Sequence, residues 1–140
     1  MTQHVQRWAY DERMLVGLQL FPATLLHGDV YGLNVLVPSD GQAPRLVDWG
    51  SARIGPAMLD VALGAGSAGF AAYVRTREGL AGKPLEPSLV EAEHAWATRS
   101  AMRCSSARWP RDSGPEAAVD QLDQAEVAWE RFTSLLSRLT

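Results

Sequence analysis

The chain has 140 residues, of which 46% are hydrophobic and 21% are charged, a composition typical of globular proteins rather than disordered ones. Its net charge of −3 argues against nonspecific binding to nucleic acid or anionic membranes, because both require a basic surface. The single cysteine excludes an internal disulfide and fits a reducing compartment, and the sequence has neither a signal-peptide core nor an 18-residue apolar stretch. We therefore expect one soluble, cytoplasmic domain over residues 1–140, with no nucleic-acid or membrane partner.

The first third of the chain predicts a helix, a loop and a hairpin. Apolar residues recur at helical spacing over residues 7–20, and the Phe-Pro pair that follows ends this helix, because proline disfavours helix in the residue before it. The next segment predicts a loop. Residues 33–37 and 45–49 are short runs rich in strand-forming residues, and an Asp-Gly turn signal lies between them, which together predict a β-hairpin.

The remainder of the chain predicts helices. An alanine-rich run follows residue 56, Ser88 with a glutamate three residues later forms a capping box, and Ser113 precedes a proline that favours the first helical position. The predicted helices cover residues 57–61, 68–78, 88–104 and 113–139. The expected fold class is therefore α+β and mostly α-helical.

Side chains with hard oxygen atoms occur in the predicted loop and at the end of the hairpin. Asp29 and Asn34 lie five residues apart in the loop, and Asp48 lies in the second strand. Magnesium prefers such ligands and usually shares them with phosphate oxygens and water. A carboxylate outside the metal shell could orient or deprotonate a hydroxyl. These are the components of phosphoryl transfer, namely a metal that neutralises the phosphates and a base that places the nucleophile.

The pattern H-G-D-x4-N followed by D-W-G resembles the catalytic and metal-binding segments of the aminoglycoside phosphotransferase and choline-kinase-like family. Either motif alone would more simply be a turn or a strand end, whereas the resemblance includes both in order and extends from Leu25 to Ala62. It implies the C-terminal lobe of a protein-kinase-like fold. In that lobe, residues 27–34 would be the catalytic loop, 48–50 the metal-binding segment on the hairpin, and 57–140 the helical subdomain.

The resemblance also implies a role for each matching residue. Asp29 matches the catalytic base, and Asn34 and Asp48 match the two magnesium ligands. His27 matches a histidine that braces the catalytic loop. Asp60 matches a buried aspartate that ties the following helix to that loop. The implied cofactors are Mg²⁺ and ATP, with ATP as the phosphoryl donor.

In kinases of this type, a separate N-terminal lobe covers ATP with a glycine-rich loop, a strand lysine and a helix glutamate. Here 26 residues precede His27, and they contain no lysine and one glycine, Gly17. We therefore expect the N-terminal lobe to be absent and the chain to be a truncated form. Residues 64–69 match G-x-G-x-x-G but follow a predicted helix rather than a strand, which favours helix packing or a flexible break over a phosphate loop.

The predicted function is ATP- and magnesium-dependent phosphorylation of a hydroxyl on a small molecule such as an aminoglycoside, another sugar or an amino alcohol. The alternative is a binding or vestigial module that has lost productive ATP binding, because transfer needs positioning and water exclusion. The expected partners are the acceptor and a nucleotide, together with self-association or a separate N-terminal lobe at apolar surface near residues 33–49. Acidic residues of the last helix are either a solvated face or contacts for a cationic acceptor: Asp120, Asp123, Glu126 and Glu130.

Overall fold

The structure is a computed structural model and describes residues 11–64, 66–105 and 115–139. Its helices and strands are, in chain order, α1 (Arg13–Leu20), β1 (Ala23–Leu26), β2 (Val35–Leu36), β3 (Arg45–Leu46), β4 (Arg53–Pro56), α2 (Met58–Gly64), α3 (Gly66–Ala81), α4 (Pro87–Ser105) and α5 (Pro115–Leu139). The predicted α+β, mostly helical class is confirmed. The beginning of the predicted first helix, residues 7–10, lies outside the described residues.

Two small antiparallel sheets lie between the first and second helices. β1 pairs with β4, so that Ala23 faces Pro56 and Leu26 faces Arg53. Neither β1 nor β4 is predicted from the sequence. The predicted hairpin is present as the pair β2–β3, but each strand has two residues instead of five. The hairpin is shorter because the ends of the predicted runs form 3₁₀ turns, at 32–34 and 49–51.

The core lies around α4, which packs against α2, α5 and α1. Trp96 of α4 and Phe132 of α5 are fully buried, and both rings contact Phe21, with centroids 5.7 and 6.3 Å from it. Burial of each of these side chains contributes about 2–3 kcal/mol to the free energy of unfolding. Met58 of α2 is also fully buried in this core. Helix α2 therefore has a fixed position, and it carries Asp60 into the site described below.

Two helix starts test the predicted capping residues. The predicted cap at Ser88 is wrong, because α4 begins one residue earlier, at Pro87. The carboxylate of Glu86 accepts hydrogen bonds from the Ser88 hydroxyl and from the Leu89 backbone N–H, the latter at 2.7 Å. Glu91 pairs instead with Arg131 of α5, at 2.7 Å. Helix α5 begins at Pro115 as predicted, and its proposed cap Ser113 lies outside the described residues.

The segment that matches G-x-G-x-x-G lies at a junction between helices. Helix α2 ends at Gly64 and α3 begins at Gly66, so the segment does not follow a strand. This agrees with the prediction that it is not a phosphate loop. Within the described ranges, no helix is long and apolar enough to cross a membrane.

Candidate active site

The carboxylate of Asp60 holds the beginning of the loop 27–34. Its Oδ2 accepts a hydrogen bond from the backbone N–H of His27 at 2.7 Å, and its Oδ1 accepts one from Gly28 at 2.9 Å. Hydrogen bonds to an ionised carboxylate are about twice as strong as neutral ones. Since Asp60 lies in the first turn of α2, the loop that leads into Asp29 is attached to a helix anchored in the core.

Gly28 occupies a position that no other residue type fits well. Its φ is +80°, in the region that favours glycine, and a Cβ there would lie 2.3 Å from the backbone oxygen of Ser51. The loop and the 3₁₀ turn at residues 49–51 are therefore in direct backbone contact. The predicted segment 27–34 therefore lies against the residue that directly follows the predicted segment 48–50.

His27 makes a second connection between the two segments. Its ring is buried, and Nε2 lies 2.8 Å from the carbonyl oxygen of Val47. Because a carbonyl oxygen only accepts hydrogen bonds, Nε2 carries the proton and donates it. The His27 ring also meets the Trp49 ring edge-on, with centroids 4.7 Å apart. The histidine thus fixes the backbone immediately before Asp48.

Asn34 orients Asp29. Its side-chain Nδ2 donates to the backbone oxygen of Asp29 at 3.0 Å and to the carboxylate Oδ2 of the same residue at 3.1 Å. Both N–H groups of the amide point to Asp29, and among the described residues no hydrogen bond involves the remaining atom, Oδ1. That oxygen is the atom through which Asn34 could bind a cation.

Asp48 has a left-handed backbone conformation. Its φ and ψ are 61° and 65°, in a region that glycine adopts freely, that aspartate and asparagine adopt occasionally, and that costs most other residues about 1–2 kcal/mol. Neighbouring contacts hold this conformation, because His27 binds the carbonyl of Val47 and the Trp49 indole N–H donates to Leu46 O at 3.1 Å. The Asp48 side chain is exposed. Strained residues of this kind occur preferentially at functional sites.

The side-chain oxygens of the three predicted metal-site residues are of the kind that magnesium prefers. Asp29, Asn34 and Asp48 offer two carboxylates and one amide oxygen, and Mg²⁺ is usually bound by one or two carboxylates together with phosphate oxygens and water. Over residues 11–64, 66–105 and 115–139, no group of three or more His, Cys, Asp or Glu is placed to hold a metal ion.

The acidic residues of the last helix form a separate surface. Asp120, Asp123 and Glu130 are exposed and Glu126 is half-buried, all on α5, which packs on α4. Their exposure fits a solvated face, and their role as acceptor contacts stays a prediction.

The structure places one further residue at the site, Arg53, which the sequence motifs do not indicate. Arg53, at the start of β4, extends its guanidinium over Gly28. No sequence signal could have found it, because its position depends on the pairing of β4 with β1, thirty residues apart in the chain.

Comparison with known proteins finds a match to one protein family. A family model described as "Phosphotransferase enzyme family" matches residues 3–135. No curated protein and no solved structure gives a significant match.

Proposed function

The chain belongs to the phosphotransferase enzyme family, and from this premise we propose that it transfers a phosphoryl group from ATP to a hydroxyl of a small molecule with the help of Mg²⁺. The proposed acceptor is an aminoglycoside, another sugar or an amino alcohol. The observation that carries the proposal is the pair of hydrogen bonds from Asn34 to Asp29, because it orients a carboxylate beside a potential metal ligand.

In this proposal Asp29 is the catalytic base. Its carboxylate, oriented by Asn34, accepts the proton of the acceptor hydroxyl and places the hydroxyl oxygen for in-line attack on the terminal phosphate. As the new P–O bond forms, the bond from the γ-phosphorus to the β–γ bridging oxygen breaks and ADP leaves. The loop carrying Asp29 is held by the two hydrogen bonds to Asp60, so little reorganisation is needed at the moment of transfer.

The proposed metal ligands are Oδ1 of Asn34 and the carboxylate of Asp48. When bound there, Mg²⁺ would neutralise negative charge on the phosphates. His27 and Asp60 would act as supports, since His27 fixes the backbone before Asp48 and Asp60 fixes the backbone before Asp29.

The alternative is a kinase-like binding or vestigial module with deficient catalysis. What favours it is exposed apolar surface on the two small sheets and the turn beside them, where Leu33 is 80% exposed and Val37 is 73% exposed. A large exposed apolar patch marks an interaction site in soluble proteins. We propose that a second copy of the chain or a separate N-terminal lobe covers it. The proposed location is the cytoplasm, which the single cysteine fits.

The first test is calorimetric titration of the chain with ATP, with and without Mg²⁺. We expect binding that requires Mg²⁺, is lost in Asp48→Ala and is kept in the control Asp40→Ala, which removes an exposed carboxylate from the same hairpin. Equal binding by the two variants would contradict the proposed metal site.

The second test is transfer of labelled phosphate from ATP to a panel of amino sugars and amino alcohols. We expect Asp29→Asn to reduce kcat by about 10²–10⁴, the usual contribution of a general base. Transfer that Asp29→Asn leaves unchanged would refute the assignment. Magnesium-dependent binding without transfer to any acceptor would instead support the binding module.

A further inference from the structure

Arg53 lies across the loop that carries the proposed base. It faces Leu26 in the β1–β4 pair, so its side chain starts beside the strand that leads into the loop. One of its guanidinium nitrogens, Nη1, lies 2.5 Å from the position that a Cβ on Gly28 would occupy. The absence of a side chain on Gly28 therefore makes room for this guanidinium, one residue before Asp29.

The guanidinium of Arg53 has few protein partners. Nη1 donates to the backbone oxygen of Ser51 at 3.4 Å, a long hydrogen bond, and in the described part of the chain Arg53 forms no ion pair. Two other half-buried arginines behave differently, since Arg13 and Arg77 each lie 2.6 Å from a carboxylate. A guanidinium has five N–H donors, so most of those of Arg53 are left for solvent or a ligand.

We propose that Arg53 binds phosphate oxygens, either those of the nucleotide or those of a phosphorylated product. This inference rests on the proposed function, because phosphate reaches this surface only if the site handles phosphoryl groups. The guanidinium fork matches two phosphate oxygens at once and keeps its charge at any physiological pH. Arg53 would thus supply positive charge beside Gly28, in the loop that the Asp60 carboxylate holds.

The test measures the affinity of the folded chain for pyrophosphate, inorganic phosphate and Mg·ATP by calorimetry. We expect Arg53→Met to weaken binding of each phosphate compound about 10-fold or more, the usual effect of losing a charge-assisted hydrogen bond. The phosphate affinity of Arg53→Lys should lie between those of the wild type and Arg53→Met, because lysine keeps the charge but lacks the guanidinium fork. The matched control is Arg75→Met, which removes one positive charge from an exposed position on α3 and should change affinity less than about 2-fold.

The Mg·ATP titration distinguishes the two sources of phosphate, and adenosine, which has no phosphate, is its control. If Arg53 contacts the nucleotide phosphates, Arg53→Met should weaken ATP binding and leave adenosine binding unchanged. If Arg53 contacts product phosphate alone, Arg53→Met should lower the affinity for inorganic phosphate and pyrophosphate and leave the affinity for Mg·ATP unchanged. Thermal unfolding of every variant checks that each one is folded. If Arg53→Met does not fold, Arg53→Lys is compared with the wild type instead.

Three outcomes would overturn the inference: phosphate affinities equal in wild type and Arg53→Met, equal losses in Arg53→Met and Arg75→Met, or no affinity of the wild type for any phosphate compound. Failure of the proposed function looks different. The wild type would then bind phosphate through Arg53 but transfer nothing. Conversely, transfer that depends on Asp29 together with unchanged phosphate affinity in Arg53→Met would leave the function standing and remove this inference.

Discussion

The Asp60 carboxylate accepts a hydrogen bond from the backbone N–H of Gly28, 32 residues earlier in the chain, at 2.9 Å. A second bond, from His27 N at 2.7 Å, occupies the other carboxylate oxygen. The pair joins a helix of the core to the proposed catalytic loop. Both the attachment of helix α2 and the position of the proposed catalytic loop therefore depend on this one side chain.

We expect Asp60→Ala to lower the free energy of unfolding by about 2–4 kcal/mol, because two partly buried N–H groups lose a charged acceptor. Urea unfolding measures the change. Asp40→Ala, which removes an exposed turn carboxylate, should cost less than about 1 kcal/mol. Similar losses in the two variants would mean that the bonds to the loop contribute little.

Gly17 of α1 lies against the indole of Trp96, and a Cβ there would be 2.1 Å from the ring nitrogen Nε1. Alanine is a better helix former than glycine by about 1 kcal/mol, but a buried overlap costs about 1–3 kcal/mol and this one is severe. We therefore expect Gly17→Ala to destabilise the protein. Gly79→Ala is the matched control, because Gly79 is also helical and a Cβ there meets nothing within 4 Å. It should be neutral or stabilise by up to about 1 kcal/mol. Thermal unfolding of both variants shows which effect is larger at Gly17, the higher helix propensity of alanine or its overlap with Trp96.

Arg77 of α3 and Glu93 of α4 form an ion pair at 2.6 Å, with side chains 24% and 2% exposed. Burial raises the pKa of the Glu93 carboxyl above its ordinary value, although the Arg77 hydrogen bond and charge work against that rise. Removing Arg77 leaves the buried carboxylate without its cation. Removing Glu93 leaves an arginine that reaches water. Removal of Arg77 and removal of Glu93 should therefore lower the free energy of unfolding by different amounts.

We expect Arg77→Met to lower the free energy of unfolding by about 2–4 kcal/mol at pH 7, and Glu93→Gln to cost less. Because the pKa of Glu93 is raised in the folded state, the folded protein holds this proton more tightly than the unfolded chain. The charged carboxylate is thus a cost that is complete above the folded pKa and disappears as the pH falls toward the unfolded value of about 4.5.

The deficit of Arg77→Met should therefore shrink between pH 7 and pH 4.5, which urea unfolding across that range measures. The double variant Arg77→Met/Glu93→Gln should recover much of the loss at pH 7. A deficit that is independent of pH and persists in the double variant would show that Arg77 acts through packing alone.

Leu25 and Ile54 face each other across the β1–β4 pair and are 61% and 71% exposed. If this surface binds a partner, a purified chain should associate with itself or bind an apolar dye. We expect Leu25→Thr/Ile54→Thr to reduce both signals, as followed by light scattering and dye fluorescence. Leu80→Thr, at a single exposed position on α3, should reduce neither. A monomer with no dye binding would exclude this surface as an interface.

The sequence by itself determined the helices and the identity of the candidate site. Helix signals are local: the proline at the first position of α5 marks its start, and apolar spacing over a few turns predicts α1, although the predicted cap at Ser88 misses the start of α4 by one residue. The site motifs are also local, since Asp29 and Asn34 are separated by a fixed spacing and one loop carries both. These motifs resemble the phosphotransferase family, and the family match over residues 3–135 confirms that assignment.

Only the tertiary structure decided the contacts between distant segments. Strands β1 and β4 have four residues each, too short for an alternating pattern to mark them, and they form because each supplies the other's hydrogen bonds across thirty residues of chain. The position of Arg53 over Gly28 follows from that pairing, as the close approach of Gly17 to Trp96 follows from the packing of α1 on α4. Short-range preferences specify which residues form a helix or a turn. Which side chains meet depends on the register and packing of elements that the chain brings together only when it folds.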